Sequence, residues 1–128
     1  MILLDTHAWL WWATQSKKLS IKAKKAIDKA NEIGVSVISC WEVAMLVEKG
    51  RLGFSIDLQE WIHKALNLKN VSVVPITPDI AIKSTRLPGQ FHGDPADRFI
   101  VATAQDIQAT IITKDKAISA YPYCKTIW

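Results

Sequence analysis

Met1-Ile2-Leu3-Leu4-Asp5 is an apolar run stopped by a carboxylate, and its reading decides the fold. Ile2 to Leu4 is too short and too uniformly apolar for a half-exposed strand, so it reads as a central, buried parallel strand. Two further segments repeat the pattern. Val35-Ser36-Val37-Ile38-Ser39 runs into Glu42, and Ala109-Thr110-Ile111-Ile112-Thr113 runs into Asp115. Ligands of an open α/β sheet collect in the crevice beyond the carboxyl ends of its parallel strands. Acids at several strand ends therefore converge in space while lying far apart in sequence.

Helical signals fill the intervals. His7 to Ala13 reads as a short, Trp-rich helix, and Ser20 caps a second helix running to about Glu32. That helix buries Ala23, Ala26, Ile27 and Ala30 and turns lysines outward. Gly34 is expected to stop it and lead into a strand from Val35 to Ser39. The next helix, residues 40–49, is apolar almost all round and ends in Lys49-Gly50, so it must be buried or lie in an interface. Asp57 caps a helix through Leu66, Val71 to Ile76 reads as a strand, and Pro78 to Arg86 as a short helix. After a Pro/Gly loop, Asp94-Pro95 starts a helix that continues to about Gln108. A strand from Thr110 to Thr113, a short helix from about Lys116 and a strand from Lys125 to Trp128 follow. This alternation predicts a three-layer α/β/α domain with a mainly parallel central sheet. Right-handed crossovers then place the chosen strand ends on one edge.

The totals agree with one domain spanning residues 1–128. A hydrophobic fraction of 49% beside 22% charged residues is ordinary for a globular chain, and no apolar run approaches the roughly 20 residues of a membrane span. The first residues are strand-like, without the basic stretch and apolar core of a signal peptide, so a soluble cytoplasmic protein is expected. Cys40 and Cys124 fit reduced thiols better than a disulfide framework. The formal net charge is +4. If several acids are committed to a cation, the remaining surface is more basic than that total, which attracts a polyanion.

Asp5 closes a buried strand, where a bare carboxylate is costly without a cation or several hydrogen bonds. Glu42 is expected in the first turn of the apolar helix and meets the same penalty. Asp94 and Asp97 form Asp-Pro-Ala-Asp: Asp94 suits an N-cap, Pro95 the first helical position and Asp97 the third, and the spacing of three also lets both share a metal ion. Asp115 can cap the short helix that follows or join the same group. Converging carboxylates require a cation, with Mg²⁺ or Mn²⁺ the expected cofactor. His7, His63 and His92 lack a paired spacing or a Cys partner, which argues against zinc. Phosphate-loop, dinucleotide and nucleophile-elbow signatures are absent.

With these residues assembled, the chain resembles PIN-domain proteins and, within them, VapC-type toxins of toxin-antitoxin pairs. The resemblance rests on Leu3-Leu4-Asp5-Thr6-His7, on Ser36 to Gly50 with its Ser-x-x-Ser-x-Trp-Glu-Val-Ala core, on Gly93-Asp94-Pro95-Ala96-Asp97-Arg98 and the helix after it, and on Ile112-Thr113-Lys114-Asp115. It implies a metal-dependent endoribonuclease with Asp5, Glu42, Asp97 and Asp115 as the catalytic, metal-binding acids. Asp94 is implied as an additional metal ligand, and Thr6, Ser39 and Thr113 as supporting hydroxyls. RNA as substrate, a VapB-like antitoxin as partner and a homodimer are implied as well. The competing expectations are a catalytically silent PIN-like module that binds RNA or protein, and a receiver-type phosphoacceptor domain. The latter would want a cluster of acids at the first strand, which His7 does not supply.

Overall fold

The computed structural model describes all 128 residues. Its elements run β1 (Ile2–Leu4), α1 (Thr6–Ala13), α2 (Ile21–Lys29), β2 (Ile33–Ser36), α3 (Val37–Glu48), α4 (Leu58–Leu66) and β3 (Val71–Val74). They continue with α5 (Pro78–Thr85), α6 (Pro95–Ile107), β4 (Thr110–Ile112), α7 (Lys116–Ala120) and β5 (Thr126–Ile127). All strand pairs are parallel, in the order β3-β2-β1-β4-β5. The chain winds outward from β1 to β3, then returns to the other side of β1 for β4 and β5. The reversal falls between β1 and β4, where doubly wound sheets open a crevice at their carboxyl edge.

Successive side chains of a strand point to opposite faces, so each central strand feeds two cores. Leu3 and Ile111 pack on one face with Ile80, Ile100, Val101 and Ile118 from α5, α6 and α7. Leu4, Val35 and Ile112 pack on the other with Ala8, Trp9, Ala23, Ile27, Val43 and Ala65 from α1 to α4. Burial on both faces explains why Ile2-Leu3-Leu4 reads as a continuous apolar run, as expected of a three-layer α/β/α fold.

Three local expectations need correction. Gly34 lies inside β2 and does not terminate α2, which ends at Lys29 with Ala30 as its C-cap. The sheet needs a glycine there for space: a Cβ would sit 3.2 Å from Met1 Sδ and from Val74 Cγ2. The strand then ends at Ser36, where Ser39 was expected, because the Ser36 hydroxyl accepts a hydrogen bond from the Ile38 N–H at 3.1 Å and caps α3 at once. Glu42 consequently occupies the second turn of α3 and not the first. Finally, α3 is not buried all round as its apolar sequence suggests: Val37 and Trp41 are exposed. Smaller shifts follow known limits. β3 stops at Val74 because Pro75 has no N–H with which to extend a ladder.

Candidate metal centre

Each acid reaches the crevice by a separate local rule. Asp5 is the first residue past β1 and the N-cap of α1, its Oδ1 accepting from the Ala8 N–H at 2.9 Å. Asp94 caps α6 by accepting from the Asp97 N–H at 3.1 Å, with Pro95 in the first turn. Asp115 caps α7 by accepting from the Ile118 N–H at 2.9 Å. Capping uses one oxygen of each carboxylate, and the second oxygens of Asp94 and Asp115 accept no hydrogen bond within the protein. Asp97 departs from a reciprocal capping box. The Asp94 N–H donates to His92 Nδ1 at 3.2 Å, while the Asp97 carboxylate turns to His92 Nε2 at 3.4 Å.

These side chains meet in one cleft of about 500 Å³, lined by Asp5, Glu42, Asp94, Asp97 and Asp115 together with Thr6, His7, Trp11 and Lys114. All five acids singled out in the sequence are thus brought together, from four stretches of chain. The supporting hydroxyls are close by. The Thr113 hydroxyl donates to Asp5 Oδ2 and accepts from the Asp115 N–H at 3.0 Å, tying the ends of β1 and β4 together. The Thr6 hydroxyl donates to Ser39 Oγ at 3.0 Å, joining the start of α1 to α3. Ser39 and Thr113 are fully buried, and Ser39 lies one helical turn before Glu42, on the same side of α3.

The charges are poorly balanced. The ion pairs elsewhere, Lys64 with Glu60 and Lys83 with Asp106, leave the cleft alone, and within it only His92 approaches an acid to ion-pair distance. Burial raises Asp5 above its ordinary 3.8, against the lowering effect of the Thr113 and Ala8 hydrogen bonds and of His7. Asp97 is pushed up to about 7, first by burial and then by repulsion from Asp94, Asp115, Glu42 and Asp5. Such a group of hard oxygen donors fits a divalent cation of the Mg²⁺ or Mn²⁺ type, which would remove the repulsion that the protein leaves uncompensated.

Four cleft features escaped the sequence reading. His92, set aside for want of a zinc partner, places a donor nitrogen within 4.8 Å of ligand oxygens of Asp97 and Asp115. It is held there by Arg98, whose guanidinium donates to the carbonyls of Ser84, Phe91 and His92 and so pins the loop before α6. His7 and Trp11, four residues apart on α1, line the cleft from one face of that helix, and Lys114 lines it because it lies between Thr113 and Asp115. Their spacing was a usable signal, while the position of His92 depends on loop geometry that sequence periodicity does not encode.

Residues 2–122 match the family model of the PIN domain, and the chain belongs to that family. Over 129 aligned residues it is 37% identical to Ribonuclease VapC22 of Mycobacterium tuberculosis, with 99% of this chain and 98% of that relative covered. Solved structures with a similar fold include a toxin-antitoxin complex from Klebsiella pneumoniae, at a TM-score of 0.71 and 21% identity over 100% of this chain and 97% of the other. VapBC2 of Rickettsia felis, solved with a DNA fragment from its promoter, gives 0.69 and 17% over 99% and 98%.

Proposed function

We propose that this chain is a divalent-metal-dependent endoribonuclease and the toxin of a toxin-antitoxin pair, acting as a single PIN domain over residues 1–128. Membership of the PIN family and the likeness to a ribonuclease of the VapC group support the reading. The observation that carries it is the cleft itself, in which five carboxylates converge with no lysine or arginine paired to any of them. Asp5, Glu42, Asp97 and Asp115 would hold the ion, with Asp94 beside them, and Mg²⁺ is the first choice with Mn²⁺ as a substitute. When bound, that ion supplies Lewis-acid polarisation of the scissile phosphate, a more acidic water and charge balance for the departing oxygen.

The protein's own contribution is positioning. Thr113 donates to one oxygen of Asp5 while the Ala8 N–H holds the other, which fixes the buried carboxylate in one orientation. Thr6 and Ser39 fix α3 against α1 and so set where Glu42 enters the cleft. The basic balance of the rest of the surface draws the RNA polyanion to an acidic site that would otherwise repel it.

The expected protein partners are a VapB-like antitoxin and a second copy of this chain, and the solved relatives quoted above include toxin-antitoxin assemblies. Exposed Val37 and Trp41 on α3 offer apolar surface for such contacts. No helix is long and apolar enough to cross a membrane. Cytoplasmic action fits an RNA substrate and the unpaired thiols Cys40 and Cys124.

The test is incubation of the purified chain with total cellular RNA, with mapping of the new ends. Discrete cleavage in Mg²⁺ that stops on addition of EDTA is expected. RNA left intact in Mg²⁺, or cut equally well in EDTA, would exclude this function.

A further inference from the structure

The lining of the cleft is not all acidic. Of its nine lining residues five are acids and one is hydrophobic, Trp11, which shares the lining with the basic side chains His7 and Lys114. A half-buried indole gains little by lining a carboxylate cleft in place of the core, where Trp9 is fully buried. The faces of Trp11 are also loosely occupied. His7 and Trp128 approach it tilted, at centroid distances of 5.5 and 5.8 Å, and neither stacks on it. Lys18 and Lys114 extend their ammonium groups over the ring at 6.0 and 5.9 Å, near the outer limit of cation–π attraction. Both lysines are exposed and can exchange this weak contact for a phosphate.

We propose that Trp11 is a stacking platform for one unpaired base of the RNA beside the scissile phosphate, with Lys18 and Lys114 binding the phosphates that flank it. This rests on the ribonuclease reading and deepens it by assigning the substrate contact. An aromatic ring flanked by cations is the chemistry with which proteins hold single strands without reading their sequence. A ring set into a cleft reaches only a base that is unstacked and turned outward, since paired bases present no free face. The acids alone would repel the backbone, and Lys18 and Lys114, both within reach of the Trp11 ring, supply the positive charge that offsets this.

The test uses the full chain in Ca²⁺ and a fluorescein-labelled pool of short single-stranded RNA, with a labelled RNA duplex as comparison, read by anisotropy. Trp11→Leu should weaken single-strand binding about 5- to 150-fold, the range expected for losing one base–aromatic stack. Trp11→Phe should restore most of it, and duplex binding should be the same in all three proteins. Placing an abasic nucleotide at successive positions of one oligonucleotide should find a site that weakens binding to the wild type but not to Trp11→Leu. Equal single-strand binding by wild type and Trp11→Leu overturns the proposal. So does a parallel loss for single strand and duplex, which would mark Trp11 as structural through its contact with Trp128. The two readings fail separately: Trp11-dependent binding without cleavage in Mg²⁺ refutes the nuclease and leaves the platform, whereas undiminished cleavage by Trp11→Leu does the reverse.

Discussion

Strand β4 has a hollow at each end, and the two are similar in size but opposite in chemistry. The amino end opens into about 600 Å³ lined by residues such as Gln105, Gln108, Thr110, Tyr123 and Lys125, without a single carboxylate. The carboxyl end opens into the acid cleft of about 500 Å³. Volume therefore distinguishes nothing. The difference comes from chain direction: at the carboxyl edge helices begin, and three of their N-caps are Asp5, Asp94 and Asp115. Free N–H groups and the positive ends of helix dipoles make that edge tolerant of negative charge. That tolerance has a limit here, since burial first, and then repulsion from Asp94, Asp115, Glu42 and Asp5, still pushes Asp97 up to about 7. A parallel sheet thus places the acids, and their excess over local compensation is what supports the proposed cation.

The sharpest way to break this contrast is Asp5→Asn. The amide keeps an oxygen for the Ala8 N–H, so α1 stays capped, but the negative charge is gone. RNA cleavage should fall by ~10³-fold or more, in line with losing a group that acts on charge in the transition state. A melting temperature close to that of the wild type would show that the fold survives. Retention of most of the activity would remove Asp5 from the proposed metal set.

Thr113→Val tests the next layer. Asp5 loses the hydroxyl that donates to it, and the Asp115 N–H loses its acceptor. Removal of such an orienting partner should reduce cleavage about 10- to 100-fold. Leaving buried polar groups unpaired should cost about 1–3 kcal/mol in urea unfolding. A stability loss without an activity loss would confine Thr113 to a structural role.

How far the two ends could be distinguished in the sequence depends on which physics was local. Apolar runs ending in acids, an Asp-Pro helix start and the alternation of elements are local, and they located β1, β4, α6 and the convergence of five acids. The β2–α3 boundary was misread because Val35-Ser36-Val37-Ile38-Ser39 offers two serines, and β-branched residues suit a strand. Ser36 wins the cap, which moves Glu42 one turn inward and leaves Ser39 as the buried acceptor of the Thr6 hydroxyl. His92 was illegible for a different reason. Its place beside Asp97 is set by three carbonyl contacts of Arg98, which depend on how α5, the loop and α6 meet.

Titration separates electrostatic strain from packing. In the unfolded chain Asp97 ionises near its ordinary 3.8, and in the folded, metal-free chain at about 7. Between those values the folded state holds the extra proton, so this group's contribution to stability is present below about pH 4 and is lost as pH rises through about 7. Asp97→Asn cannot titrate. In EDTA it should match the wild type near pH 4 and exceed it by about 1–3 kcal/mol at pH 8, a figure reduced from the full shift because the side chain is 25% exposed. Mg²⁺ should erase most of that advantage by stabilising the wild type. A pH-independent difference would mean that the fold does not raise Asp97 at all.

The opposite end supplies the smallest effect and the control for all the others. Gln108 ends α6 in a left-handed conformation, with φ 55° and ψ 44°, a geometry that costs a residue bearing a Cβ more than it costs glycine. Gln108→Gly should therefore stabilise the chain by about 0.5–1 kcal/mol, seen as a rise of a few degrees in the unfolding midpoint. Cleavage should be unchanged, because the amino end of β4 carries no acid and the sheet separates it from the cleft. If instead this variant alters cleavage in proportion to its stability, the two ends are mechanically coupled through β4, and the acid cleft is not set by the carboxyl edge alone.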